Sequence, residues 1–192
     1  MKELKDMTLE ELWQLFPIVL KEHNPDYRTW YLEEEKLLRQ LLSGLNICRI
    51  SHIGSTSVPD LIAKPIIDIL LELPESGDFN RAINLLEQNG WITMLKKLPV
   101  NIYELNKGYT PEGFAPKVFH LHIRPSGDWG ELYFRDYLRQ HPEAARSYEE
   151  LKQSLKNQYE HHRDAYTEAK SDFVNTCTDK ARAEYRHRYQ PQ

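Results

Sequence analysis

The chain has 192 residues, with 25 Lys plus Arg against 29 Asp plus Glu and a formal net charge of -4. Apolar residues make up 40% and there are 11 Tyr and 4 Trp, so the chain can bury a core without a metal or disulfide staple, and wholesale disorder is excluded. A duplex-binding protein relying on bulk positive charge is excluded too, and any phosphate contact must be local.

The opening Met1-Lys2-Glu3-Leu4-Lys5-Asp6 lacks the apolar stretch of a signal peptide, and no later run reaches the length of a bilayer span. The expectation is a cytoplasmic protein with no membrane partner. Cys48 and Cys177 lie far apart with no Cys-x-x-Cys, which reads as two buried, inert thiols.

Thr8-Leu9-Glu10-Glu11 has the spacing of a capping box and predicts a short helix. Pro17 would cost such a helix a hydrogen bond, and Ile18-Val19-Leu20 reads as a first strand. Asn24-Pro25-Asp26 is a turn and cap for a helix over about 27–43, with Trp30, Leu37, Leu38, Leu41 and Leu45 at helical spacing and Glu33-Glu34-Glu35 as its solvated start. Asn46 to Ile53 alternates like a strand and ends at Gly54-Ser55-Thr56-Ser57. Pro65 to Leu71 is apolar almost throughout, as an interior strand covered on both faces would be, which makes Asp68 the odd residue. A helix over about 79–89 stops at Gly90, and Val100 to Leu105 and Lys117 to Arg124 are further strands, with Gly108 to Gly113 a loop between them.

From Glu131 onward the period is helical. Phe134, Tyr137 and Leu138 form one stripe. Ala144, Tyr148, Leu151 and Leu155 form a second, opened by Pro142 at a first-turn position. Ala165 or Tyr166, Ala169, Phe173, Cys177 and Ala181 form a third. The layout is a single domain over 1–192, with an α/β core over 18–125 and a helical extension over 130–189.

A strand ending in Gly54-Ser55 lets backbone donors approach a phosphate, and the hydroxyls of Ser55, Thr56 and Ser57 add donors. If Asp68 lies on the neighbouring strand, its carboxylate can hold a metal ion beside those phosphates. His120 and His122 point to one strand face, and with His52 and Asp68 they make a mixed nitrogen and oxygen set. Magnesium or manganese is the first expectation for such chemistry, with zinc or iron also compatible with the imidazoles. The alternative is that each His is a polar residue satisfied by the backbone. Lys64, Arg135, Arg139, Lys152 and Lys170 are candidate anion contacts. Arg135 and Arg139 share a helix face, while Lys152 and Lys170 read better as ordinary surface charge. Tyr103, Tyr109, Phe114 and Trp129 are base-stacking candidates, although such aromatics are more often core or loop anchors.

His52-Ile53-Gly54-Ser55-Thr56-Ser57-Val58-Pro59, Lys64-Pro65-Ile66-Ile67-Asp68, His120-Leu121-His122 and Phe134-Arg135-Asp136-Tyr137-Leu138-Arg139 together resemble the GrpB family, over about Ile18 to Val174. The resemblance implies an α+β, nucleotidyltransferase-like fold related to the DNA polymerase beta superfamily: a small mixed sheet flanked by helices, with a helical C-terminal part. Members fused to dephospho-CoA kinase hint at nucleotide or coenzyme chemistry, and the family's own activity is a prediction. Active superfamily members carry two acids one residue apart on the strand. Here Leu70 stands at the second place, and Glu72 lies about 13 Å from Asp68, too far to share one ion. Glu104 is another possible acid. A histidine-triad hydrolase is a poor reading, because Arg124 stands where its third His belongs.

Two functions follow as expectations. One is metal-dependent transfer of a nucleotidyl group from a nucleoside triphosphate to an unknown small acceptor. Asp68, His120 and His122 are then catalytic, Asp68, His120, His122 and His52 hold metal, and Gly54, Ser55, Thr56, Ser57, Lys64, Arg135 and Arg139 bind phosphate. The other is a catalytically inactive nucleotide- or phosphate-binding module of the same fold.

Overall fold

A computed structural model describes residues 2–191. After a 3-10 turn at Leu4–Asp6, helix α1 (Leu9–Leu15) begins where the capping box predicts. Glu11 Oε2 accepts from the Thr8 N–H at 2.6 Å and Thr8 Oγ1 accepts from the Glu11 N–H at 3.2 Å. The segment at Ile18-Val19-Leu20 is not a strand. Its single ladder contact is the Lys21–Ala63 bridge, and the Ile18 N–H donates to Glu160 O at 2.8 Å. Ile18 is nevertheless fully buried, packed on Leu155 and Tyr166, so the apolar run reflects burial against helices.

Helix α2 (Asp26–Leu41) buries Tyr27, Tyr31 and Leu38 against the sheet. Its acidic run is not wholly solvated: Glu34 is buried and accepts from Lys107 at 2.7 Å, and Glu33 pairs with Lys117 at 2.5 Å. These pairs fasten α2 to two strands.

Five strands form one mixed sheet in the order β1-β2-β5-β4-β3. They are β1 (Arg49–Ile53), β2 (Ile67–Leu73), β3 (Ile92–Lys97), β4 (Ile102–Thr110) and β5 (Gly113–Pro125). β2 and β5 run parallel, and the other pairings are antiparallel. The stretch from Gly108 to Gly113 is mostly strand rather than loop, since β4 runs to Thr110 and β5 starts at Gly113. Gly108, at φ +91°, takes up the register shift between Lys107 and Tyr109, a place where a side chain would be strained. Helix α3 (Phe79–Glu87), capped by Asp78, precedes edge strand β3.

One sheet face is apolar and is covered by α2 and α3, with Ile67, Ile69, Leu71, Tyr103, Leu105, Leu121 and Ile123 all but fully buried. By strand alternation the other face carries Asp68, Leu70 and Glu72, with His120, His122 and Arg124 beside them and Glu104 on β4. The helical region covers part of that second face. It consists of α4 (Gly130–Gln140), α5 (Pro142–Tyr159), α6 (Arg163–Glu168) and α7 (Ser171–Tyr185). Leu132 meets Ile53 and Leu70, and Val58 and Leu61 join the core among the helices. The third apolar stripe of the sequence thus spans two helices, broken between Glu168 and Ser171. Cys177 is buried as expected, while Cys48 is exposed. Among the described residues no helix is long and apolar enough to cross a membrane.

Candidate functional site

The site lies on the polar sheet face where β1 ends. Gly54 takes φ +70° and leads into a 3-10 turn, Ser55–Ser57. A Cβ at Gly54 would collide with the Asp68 carboxylate, which lies against this bend. Glycine is therefore required twice, for backbone angle and for space. The parallel register sets Asp68 opposite His120 and Leu70 opposite His122. His120 Nδ1 and His122 Nε2 lie 3.4 and 3.6 Å from Asp68 Oδ1. The far side of His120 meets Tyr109, whose hydroxyl is 2.7 Å from Nε2 and accepts from Arg163 at 2.9 Å. The far side of His122 faces Glu104, 3.7 Å from Nδ1.

The electrostatics of this row are strongly polarised. Burial alone would raise the Asp68 carboxyl, but bonding and charge from His120 and His122 outweigh it and hold the group well below the usual range. Burial would lower His122, yet Asp68 and Glu104 outweigh it and lift the imidazole to about 9. His120, with one carboxylate neighbour, stays dominated by burial and is lowered. The imidazolium of His122 beside it, with Arg124, brings Glu104 down to about 2. Asp68, at 27% side-chain exposure, is reachable by solvent.

A second group of residues faces this row from the helices. Lys152 is 2% exposed and donates to Ile62 O and, at 3.4 Å, to Ser55 Oγ. The Lys64 and Lys170 ammoniums stand over the Tyr166 ring, 5.6 and 4.4 Å from its centroid. Burial, reinforced by neighbouring cations, pushes Lys64 and Lys152 down to about 7. Burial alone takes Lys170 down to about 8, against the opposing pull of Asp68. The surface-charge reading of Lys152 and Lys170 is thus corrected. Lys152 falls on the stripe of Tyr148 and Leu155 at i, i+4, i+7 spacing, and a lysine on a buried stripe is the signal that marks it. Arg163 and Tyr166 carry no comparable signal, because only folding of the extension over the sheet brings them here.

Several expected site residues are occupied elsewhere. His52 points to the opposite sheet face, stacked on Tyr31 and 3.0 Å from Thr56 Oγ1, and burial drops it to about 4. It does not join Asp68, His120 and His122. The Thr56 hydroxyl donates to Ile66 O and the Ser57 hydroxyl to Gly54 O, so of the three hydroxyls only that of Ser55 faces the lysines. Arg135 donates to Asp136, His52 O and the Tyr189 hydroxyl, and Arg139 donates twice to Ser57 O. Both guanidiniums hold the turn in place instead of facing an open phosphate site. Glu72 is buried and paired with Arg49. Tyr103 and Trp129 are core and anchoring residues, the latter donating to Pro125 O at 2.9 Å.

Among the described residues no group of three or more His, Cys, Asp or Glu side chains is arranged to hold a metal ion. Leu70, fully buried with Ile53 and Leu132, takes the place of a second carboxylate.

The family model for GrpB protein matches residues 17–180. The chain is 36% identical over 167 residues to a UPF0157 protein of Pseudomonas aeruginosa, covering 85% of this chain and 67% of that one. It is 31% identical over 153 residues to the UPF0157 protein YqkA of Bacillus subtilis, covering 78% of this chain and 43% of that longer one. A crystal structure of conserved protein GrpB from Enterococcus faecalis superposes with a TM-score of 0.73 at 30% identity, covering 87% of this chain and 99% of that one. The five-stranded mixed sheet flanked by helices is the nucleotidyltransferase-like fold. By the extent of these matches, the chain belongs to the GrpB family.

Proposed function

We propose that the cleft binds the phosphate chain of a nucleoside triphosphate. The observation that carries this reading is the set of cations on this side of the sheet, Lys152 at Ser55, Lys64 and Lys170 over the Tyr166 ring and Arg163 at the Tyr109 hydroxyl. Lys152 donates to Ile62 O and Ser55 Oγ, whereas the half-buried Lys64 and Lys170 make no hydrogen bond to an oxygen among the described residues and lie over the Tyr166 ring. Neither Nζ is among the buried unpartnered atoms, so both ammoniums are open to solvent and to an anion arriving from it. Ser55 adds a hydroxyl, and Gly54 leaves the backbone open.

A nucleotidyl transfer to a small acceptor is the finer reading, favoured by Asp68, an ionised carboxylate reachable from solvent at the edge of this cationic cleft. A divalent cation arriving as the triphosphate's own counter-ion would meet Asp68 and neutralise charge on the phosphates. His120, lowered by burial, is the neutral imidazole that can accept a proton from an acceptor hydroxyl. The buried Leu70 favours instead a module that binds without transfer.

Calorimetry with ATP and with inorganic tripolyphosphate, with and without magnesium or manganese, tests the first reading. Both ligands should bind, and Lys170→Met should weaken each about tenfold, or ~1.4 kcal/mol. Binding unchanged in Lys170→Met and Lys64→Met would remove the lysines from the site. Transfer is tested by pyrophosphate release from a mixed acceptor pool. Release that Asp68→Asn abolishes supports the enzyme, and binding without release supports the module.

A further inference from the structure

The hairpin joining β3 to β4 gathers half of the large hydrophobic side chains that stand exposed among the described residues: Ile92, Met94, Leu98 and Val100, against Leu9, Leu32, Leu37 and Phe114 elsewhere. From Lys96 to Val100 every residue is exposed. The turn over 98–101 carries Leu98, Pro99 and Val100 and closes through Asn101 at φ +51°. Charge in this stretch has one sign. Between Glu87 and Glu104 there is no acid, and Lys96 and Lys97 are the only charged side chains, in a protein of net charge -4. The two flanking acids are engaged: Glu87 accepts from the Thr93 hydroxyl at 2.7 Å, and Glu104 lies 3.4 Å from Arg124 and 3.7 Å from His122. Lys96 stands over the Tyr103 ring, 5.8 Å from its centroid. Both lysines thus remain open to an anion from outside the protein.

Spacing sets the kind of anion. Lys97 and Lys96 follow behind Leu98 by about 3 and 7 Å along the strand, at ~3.3 Å per residue. An apolar element resting on a bilayer sinks about 5–10 Å, to the boundary between headgroups and acyl chains. Entry of Leu98 and Val100 therefore brings the two ammoniums level with lipid phosphates. Strand addition along β3 is opposed by its register shift between Thr93 and Leu95 and by its lysines. A second copy would set like against like, with no acid to meet the lysines.

We propose that the β3–β4 hairpin docks the protein on an anionic phospholipid surface, with Leu98 and Val100 entering the interface and Lys96 and Lys97 meeting lipid phosphates. The expectation of no membrane partner rested on the lack of a spanning run, and a hairpin at the interface needs none. The tip lies at the end of the sheet away from Gly54. Asn106 is opposite His120, and Asn101 in the turn is about 17 Å further along the strand at ~3.3 Å per residue. Docking is thus separate from the phosphate site and does not rest on the reading of it.

The test is co-sedimentation of the full chain with vesicles of phosphatidylcholine alone and of phosphatidylcholine mixed in equal parts with phosphatidylglycerol. Wild type should partition onto the mixed vesicles about tenfold more strongly than onto phosphatidylcholine, and added salt should release it. The double variants Lys96→Glu with Lys97→Glu, and Leu98→Ser with Val100→Ser, should each weaken partition about tenfold or more. Both should keep the wild-type Tm and the wild-type response to tripolyphosphate. No partition onto the mixed vesicles, or partition that both variants keep, overturns the proposal. Loss confined to the lysine variant overturns entry of the turn into the interface. A dimer in sedimentation equilibrium without lipid, dissociated by Leu98→Ser with Val100→Ser, would assign the patch to a second copy and overturn docking. Failure of tripolyphosphate to bind bears on the phosphate site alone.

Discussion

Asp68 and His122 are held at opposite ends of the titration range by one another, and the register explains how. His122 sits opposite Leu70, not Asp68, so it reaches back along β5 to Asp68 with one nitrogen while its other nitrogen faces Glu104 on β4. Replacing Glu104 with Gln should lower the His122 midpoint from about 9, and Asp68→Asn should lower it further, because Asp68 is the stronger of the two raising influences. NMR titration of the ring protons reads both, and a midpoint unmoved by either change would break the row. A raised imidazole contributes stability that is complete below its ordinary value of 6.5 and disappears as pH climbs through about 9. Over that interval wild type should therefore gain less stability than Glu104→Gln, in which this opposing contribution is weakened. Restoring the superfamily's second acid by Leu70→Asp should not restore chemistry. The side chain is fully buried against Ile53 and Leu132, and burying a carboxylate there, even opposite the His122 imidazole, costs on the order of a few kcal/mol. Denaturant unfolding of the variant reads that loss. Gly54, Ser55, Asp68 and the two histidines of β5 were legible because each belongs to a short local pattern. Lys152 and Lys170 were candidate anion contacts that read better as surface charge, and Arg163 carried no signal, because their burial and placement depend on long-range packing.

At the scale of elements, what was legible is what local chemistry dictates. The Thr8–Glu11 box, the Asn24 turn before α2, the Asp78 cap and Pro142 at the start of α5 all act within one helical turn. Elements shaped by distant partners were not. β3 is an edge strand with Ile92 and Met94 turned to solvent, so it shows no apolar alternation toward a core. The break between α6 and α7 is hidden because both helices bury the same side, through Tyr166 and then Cys177 and Ala181. Helix α5 shows how an element can trade stability for a site. In Lys152→Met the desolvation of an amine is relieved, while the Ile62 carbonyl loses its donor at about 1–3 kcal/mol. The two effects oppose, so Tm should move by less than about 4 °C in a chain of this size. Tripolyphosphate binding should weaken about tenfold in the same variant. A large fall in Tm with binding intact would make Lys152 a packing residue.

Across the whole molecule, a chain of net charge -4 places Lys64, Lys152 and Lys170 on the same side of the sheet as Asp68, and these amines set how its stability follows pH. Lys64, Lys152 and Lys170 have folded values of about 7, 7 and 8 against an ordinary 10.5. Between those limits the unfolded chain binds more protons than the folded one, so these groups make stability rise with pH. His122 acts in the opposite sense between 6.5 and about 9, but it is one group against three. The unliganded protein should therefore gain stability from pH 6.5 to pH 9. An anion in the cleft keeps the ammoniums charged and relieves their repulsion, which matters most where they are protonated in both states. Saturating tripolyphosphate should then raise Tm more at pH 6.5 than at pH 9, read by scanning calorimetry at fixed ionic strength. An increment equal at both values would mean that the anion binds away from the lysines. A larger increment at pH 9 would mean that His122 and Asp68, rather than the amines, dominate the field of the cleft.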